Sequence, residues 1–196
     1  MVLLLLTGSV AYAGQATVSP DRVETTAGQE RKWALTLYGG TSVQPDLGHT
    51  LIFQVDRDDD TYLLVAALAW EFWRYRDWFD FEVEGQVGKH FSRMNHWEFN
   101  GLIVGRWNRF PWDHIIDTSI AVGEGMSYAT DIPEIEKEDD EDAGRWLNYL
   151  LFEFTFGLPD IPQWSLVYRI HHRSSIWKAI GAGGSNFMCV GIKYKF

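Results

Sequence analysis

Nothing in this 196-residue sequence stays apolar long enough to cross a bilayer as a helix, which takes about 20 consecutive apolar residues. Cysteine occurs once, as Cys189, which excludes an intrachain disulfide and a cysteine-based metal cluster. Positive charge is scarce: 17 Lys and Arg stand against 27 Asp and Glu, for a net charge of -10. That balance excludes a nucleic-acid partner. Amphipathic helices, internal repeats and interdomain linkers are also missing. Aromatic residues, by contrast, are plentiful. There are 10 Trp, 8 Tyr and 12 Phe, together 15% of the chain, at a mean hydropathy of only -0.19. So much tryptophan is unusual in a soluble domain but fits interfacial girdles.

The negative charge is clustered. Residues 131–142 carry eight acids and one lysine, and 56–60 carry four acids and one arginine. Solvated loops explain both runs. Neither matches a defined calcium loop, although clustered carboxylates do suit Ca²⁺ or Mg²⁺. No cofactor is expected, and no metal-ligand pattern stands out. At the N-terminus, Val2 to Leu6 form an apolar core and Ala11-Tyr12-Ala13 a small-x-small cleavage pattern. Residues 1–13 therefore read as a signal peptide without its charged n-region, 14–30 as a periplasmic segment and 31–196 as a barrel.

From residue 31 onward the chain alternates in segments of about ten residues, the pattern of a membrane barrel. The expected fold is an all-β, eight-stranded antiparallel transmembrane β-barrel of the bacterial outer membrane. Its strands are predicted near 31–40, 61–73, 79–90, 96–107, 115–127, 145–158, 163–173 and 185–196. An even number permits closure, and lipid cannot hydrogen-bond an open sheet edge. In the second strand Tyr62, Leu64, Ala66, Leu68, Trp70 and Phe72 share one face. In the third, Phe79, Phe81, Val83 and Val87 oppose Asp80, Glu82, Glu84 and Gln86; in the sixth, Leu150, Phe152, Phe154 and Phe156 oppose Tyr149, Glu153 and Thr155.

Two features favour a membrane over a soluble sheet. The last strand alternates Met188, Val190, Ile192, Tyr194 and Phe196 with Cys189, Gly191, Lys193 and Lys195. Its aromatic end, Phe196, resembles the signal that the outer-membrane assembly machinery recognises. With both termini periplasmic, the connections at 74–78, 108–114 and 159–162 are short and inside, while 41–60, 128–144 and 174–184 are long and outside. Glu71, Asp80, Glu82, Glu84, Glu98 and Glu153 then share the lumen with Arg106, Arg169, Lys193 and Lys195. In so small a barrel they are expected to pair rather than to line a pore.

The seventh strand breaks the pattern. Trp164, Leu166, Tyr168 and Ile170 face lipid, and continuing the alternation puts His172 and Ser174 on that same face at the outer rim. Polar groups facing hydrocarbon are costly, although at headgroup depth they are harmless. Residues i and i+2 of a strand stand on one face about 6–7 Å apart. A histidine there can take the proton of a serine hydroxyl, and an adjacent base is what makes serine nucleophilic. His171 faces inward by the same count, unless a bulge exchanges the two histidines.

Three segments carry a family resemblance: Tyr168-Arg169-Ile170-His171-His172-Arg173-Ser174-Ser175, Gly183-Gly184-Ser185-Asn186-Phe187 and Gly191-Ile192-Lys193-Tyr194-Lys195-Phe196. In them the chain resembles the outer-membrane lipid A 3-O-deacylases, also called acyloxyacyl hydrolase-like proteins. The resemblance implies an eight-stranded barrel with a His-x-Ser pair on its outer surface, within reach of lipid A. It makes His172 the base and Ser174 the nucleophile. The family places a glutamate on the last strand to orient the histidine, and the corresponding outward position here is Asn186. An asparagine can orient a neutral imidazole, as in Cys-His-Asn enzymes. Asn186 could instead serve the oxyanion with backbone N–H groups of Gly183 and Gly184, the orienting acid then coming from Glu124 or the 134–142 loop. Arg173 and Lys178 are candidates to meet lipid A phosphates.

The sequence thus points to a serine esterase acting on lipid A, with lipopolysaccharide as its partner. A non-enzymatic barrel with a structural, adhesive or lipopolysaccharide-packing role is the alternative. A barrel acyltransferase fits less well, because residues 14–30, with Pro20 and Gly28, make a poor N-terminal amphipathic helix.

Overall fold

The structure, a computed structural model, describes residues 31–44, 47–51, 54, 56–139, 143–176 and 180–196. The signal-peptide reading of 1–13 and the segment 14–30 lie outside the described residues. The strands are β1 (Trp33–Gln44), β2 (Asp56–Tyr75), β3 (Phe79–Ser92), β4 (Trp97–Trp107), β5 (Asp117–Ala129), β6 (Trp146–Gly157), β7 (Trp164–Ile176) and β8 (Ile180–Lys195). All pair antiparallel with their chain neighbours, and β1 pairs with β8 to close the barrel. Two short helices, α1 (Leu47–Leu51) and α2 (Glu134–Asp139), sit in the outer connections.

Closure follows from the alternation. One face of each strand is apolar and the other polar, so a curled sheet hides one set and presents the other. On the outer wall Leu35, Leu37, Leu64, Leu68, Val83, Val87, Ile103, Val122, Leu166, Val190 and Ile192 form an exposed apolar band. Exposed Trp33, Trp70, Trp73, Trp78, Trp107 and Trp164 ring its periplasmic end, and Tyr62, Phe91, Trp97 and Trp146 its outer end. A surface of this kind suits a bilayer and would aggregate in water. A bulge between Glu71 and Trp73 puts Phe72 and Trp73 both on the wall, a local departure from the predicted alternation.

The lumen is filled. Arg106 donates from Nε to Glu82 at 2.8 Å and pairs through Nη1 with Glu153 at 2.7 Å. Arg169 reaches Glu84 in a two-pronged pair at 2.8 and 2.9 Å, and also binds Glu153. Lys193 donates to the same Glu153. The expected pairing of inward charges is therefore present, and it closes the interior to a pore. Above it, Tyr38, Leu63, Val65, Met94 and Phe187 form an apolar cluster that α2 caps with Ile135.

The strands run further outward than predicted. A long outer connection was expected at 174–184, but β7 continues to Ile176 and β8 begins at Ile180. Ladder pairing drives this extension, since Ser174 faces Gly184 and Ile176 faces Ile180 across a bulge. His172 and Ser174 consequently lie inside the sheet and not on a loose rim.

Candidate active site

The site is assembled by the β6–β7–β8 ladder. Leu150 of β6, His172 of β7 and Asn186 of β8 occupy one cross-strand row. Asn148, Ser174 and Gly184 occupy the next row outward. All lie on the lipid-facing side by alternation with Phe152, Leu166 and Val190. A polar patch of Asn148, His172, Ser174 and Asn186 thus interrupts the apolar wall, on which Glu124 is also exposed two strands away. Trp146 of the outer girdle is the next outward-facing residue beyond Asn148, so the patch lies at the edge of the apolar band.

His172 Nδ1 lies 2.6 Å from Asn186 Oδ1. An amide oxygen only accepts, so Nδ1 carries the proton and Nε2 is left with its lone pair. That is the tautomer a general base needs. His172 is half-buried and Asn186 is buried, which shields their contact from competing water. Ser174 follows two residues later on the same face. Among the described residues no hydrogen bond joins Ser174 to His172; the Cα spacing of about 6–7 Å leaves a rotamer change to bring them together. Such contacts commonly tighten only when substrate binds.

The register decides between the two histidines. From Ser165 to Ser174 the β6–β7 pairing is continuous, and the β7–β8 bulge comes only after Ser174. The exchange that a bulge would produce therefore does not occur. His171 points into the lumen, where its Nε2 meets Glu98 at 2.7 Å and its Nδ1 lies 3.0 Å from the Tyr149 hydroxyl and 3.2 Å from that of Tyr38.

Among the described residues no acid, neither Glu124 nor one of the 134–139 part of the loop, is bonded to His172; 140–142 lie outside the described residues. Glu124 faces Leu150, which in turn faces His172, so it stands two strands away, about 10 Å. Glu136 of the 134–142 loop is buried, accepts from Ser185 Oγ at 2.8 Å and lies 3.5 Å from Arg173. Arg173 is itself fully buried, 3.8 Å from Glu98, and so is withdrawn from any lipid phosphate. Lys178 lies outside the described residues. Gly183 adopts a φ of +92°, where a side chain would also crowd Glu136, so a glycine is required there.

Asn148 was missed by the sequence reading. The signal was present, since it interrupts the apolar row Leu150, Phe152, Phe154 and Phe156 at its outer end. Beside the patch, an apolar groove of about 510 Å³ runs down the wall between Tyr62, Leu64, Tyr168, Met188 and Val190. It exists because Gly39 contributes no side chain between them.

These features define a transmembrane β-barrel of the bacterial outer membrane, with a filled lumen and a polar patch on its outside wall. No sequence-family description and no curated protein matches the chain. Among solved structures it is similar to the outer membrane enzyme PagL, with a TM-score of 0.56 at 10% identity over 83% of this chain and 99% of that one. It is also similar to a de novo designed transmembrane β-barrel, with a TM-score of 0.48 at 12% identity over 86% of this chain and 98% of that one. The outer membrane protein OprG from Pseudomonas aeruginosa gives a TM-score of 0.42 at 11% identity over 86% and 98%. At such identity the likeness to PagL concerns the fold.

Proposed function

We propose that the chain is an outer-membrane serine esterase that removes an ester-linked acyl chain from lipid A. The observation that carries this reading is the His172–Asn186 contact at 2.6 Å on the lipid-facing wall, next to Ser174. Lumen polar groups here serve packing and charge balance, but a polar pair facing hydrocarbon has no such role to fill. The depth supports the same reading, because ester linkages of membrane lipids lie at the boundary between apolar band and headgroups.

In this mechanism Ser174 Oγ attacks the ester carbonyl while His172 Nε2 takes the hydroxyl proton. Asn186 Oδ1 holds the Nδ1–H of the imidazolium that forms. Asn148, opposite Ser174, offers an amide N–H to the developing oxyanion. His172 then returns the proton to the leaving sugar oxygen, and water repeats the sequence to release the fatty acid from Ser174. The 510 Å³ groove past Met188 and Tyr168 suits the acyl chain. Lipopolysaccharide of the outer leaflet is the partner in this reading.

The test is the mass profile of lipid A from cells expressing the wild type or Ser174→Ala. The wild type should release one hydroxyacyl chain, and the variant, equally abundant and folded, should release none. Equal deacylation by both would sink the mechanism. A second reading, a non-enzymatic barrel, is favoured by one observation: among the described residues Ser174 and His172 share no hydrogen bond. It predicts lipid A profiles that do not change with either protein.

A further inference from the structure

We infer that the outer end of the lumen holds a transition-metal site, built from the imidazoles of His90 and His96 with Glu98 as the carboxylate that supports His90. All three residues come from a single hairpin: His90 near the end of β3, His96 in the turn and Glu98 at the start of β4. All are buried, and one ligand atom from each lies within 4.8 Å of the others. The hairpin holds them in place without distant chain closure. His90 N–H donates to the His96 carbonyl at 3.0 Å, and Lys89 Nζ donates to Asn95 Oδ1 at 2.6 Å across the turn.

The hydrogen bonds leave a specific deficit. Glu98 Oε2 lies 2.7 Å from His90 Nε2, so that nitrogen carries the proton and His90 Nδ1 keeps a lone pair. His90 Nδ1 and His96 Nε2 are both buried without a hydrogen-bond partner. The two rings are stacked, 4.2 Å between centroids and 16° between planes, with Phe187 edge-on to His90. Buried polar atoms in a native structure are nearly always paired, and two open imidazole nitrogens on neighbouring buried rings call for an electrophile. A carboxylate on the far nitrogen of a ligating histidine is the usual support of such a site. Glu98 gives that support while His171 at 2.7 Å and Asn100 at 2.8 Å fix its other oxygen. Arg173 lies on the other side of the carboxylate, 3.8 Å away, and is shared with Glu136.

An entry path exists. His96 lines a cavity of about 220 Å³ at the outer mouth, together with Asp131 and Glu134. Arg93 and Lys137 on the same rim balance the two acids, so the path is open without being steeply charged. Imidazole ligands select Zn²⁺, Ni²⁺ or Cu²⁺ over Ca²⁺ and Mg²⁺, which prefer all-oxygen sets. Two imidazoles with water make up a four-coordinate Zn²⁺ shell, and Glu98 stands behind His90, outside it. Bound there, the ion joins β3 to β4 at the point where α2 covers the lumen. The site stands independently of the esterase reading, and either can fail alone.

Zinc chloride titrated calorimetrically into the full-length barrel, folded in detergent and stripped of metal with a chelator, tests this. One Zn²⁺ per chain is expected, with Co²⁺ giving the visible bands of a low-coordinate site. His96→Ala, in the turn, and His90→Gln should each weaken binding by roughly tenfold or more. His114→Ala, at the periplasmic end, should bind like the wild type. Heat-modifiable gel migration reports that each variant is folded. No stoichiometric binding by the folded wild type, or equal affinity in wild type and His96→Ala, would overturn the inference.

Discussion

His171 and His172 are neighbours in the chain and occupy opposite sides of one sheet. Inside, His171 has both ring nitrogens engaged, by Glu98 on one side and by two tyrosine hydroxyls on the other. Outside, His172 has one nitrogen engaged by Asn186 and, among the described residues, no hydrogen bond at the other. A fully satisfied polar group is a structural element, because any reaction it entered would cost existing bonds. A half-satisfied group has its tautomer set and a lone pair to use. The same contrast separates the central charge network around Glu153 from the open imidazoles of His90 and His96. Satisfaction of polar atoms, more than their identity, divides the framework of this barrel from its chemistry.

The largest effect should come from breaking the inside. Glu153 binds Arg106, Arg169 and Lys193 at once, and all four are buried. Glu153→Ala leaves three cations short of an anion, and breaking even one buried pair costs about 3–5 kcal/mol. That is comparable to the whole stability of many domains. The variant should lose heat-modifiable migration or shift its urea midpoint far downward. A midpoint within error of the wild type would show that the lumen charges contribute little.

Exchanging the roles of the two histidines gives the next effect. His172→Ala should abolish lipid A deacylation, by 10³-fold or more as for other serine hydrolases, and change stability by less than about 1 kcal/mol. His171→Phe should do the reverse. It removes one of the two hydrogen bonds to a Glu98 oxygen and the ring acceptor that two tyrosine hydroxyls share, at about 1–3 kcal/mol for a buried group left unpaired, yet retains deacylation per folded molecule. Urea unfolding and lipid A mass spectrometry on both variants read the two quantities separately. If both variants lose activity in proportion to stability, the inside–outside division fails.

A smaller effect concerns the groove. Gly39 forms its floor, and a side chain there would come within 3.6 Å of Leu64 and 3.1 Å of the Leu63 carbonyl. Gly39→Leu should fill part of the 510 Å³ and lower the rate for long acyl esters about tenfold, with less effect on short ones. Assays of p-nitrophenyl esters of graded chain length check this. A uniform loss at all lengths would place the acyl chain elsewhere.

Much of this division was legible in the sequence because a strand has a period of two. Once the alternation in Tyr62–Phe72 and Phe79–Val87 set the faces, counting along β7 placed His171 inside and His172 outside. The lumen acids and bases followed by the same count. What the count does not convey is which strands stand side by side at a given height. Asn148 and Ser174 are 26 positions apart and meet only through register. Glu124 shares the outward face with His172 yet sits two strands off. The outward extension of β7 and β8 was hidden because Gly183 and Gly184 read as loop residues, whereas close pairing against Arg173 of β7 is what favours a glycine at 184. The three-residue cluster of His90, His96 and Glu98 was also overlooked: all three stand inward by the same count, but they come from two predicted strands whose relative register the count does not give.

The smallest change, at Asn186, is the most informative about chemistry. The resemblance drawn from the sequence implies a glutamate at the corresponding place, and an amide differs from a carboxylate by the charge that steadies an imidazolium. A charge-assisted hydrogen bond is roughly twice as strong as a neutral one, and about 1.4 kcal/mol in the barrier is tenfold in rate. Asn186→Glu should therefore raise the deacylation rate about tenfold, even after part of the gain offsets desolvating a carboxylate at a position only 7% exposed. Asn186→Ala removes the acceptor at 2.6 Å, frees the ring to rotate and adopt the other tautomer, and should lower the rate at least tenfold. The expected order is glutamate, asparagine, alanine, measured as initial rates of fatty-acid release from purified lipid A. An alanine variant as fast as the wild type would reduce the His172–Asn186 contact to packing. A faster glutamate variant would mean that the asparagine holds the imidazole in place without supplying the charge that speeds the step.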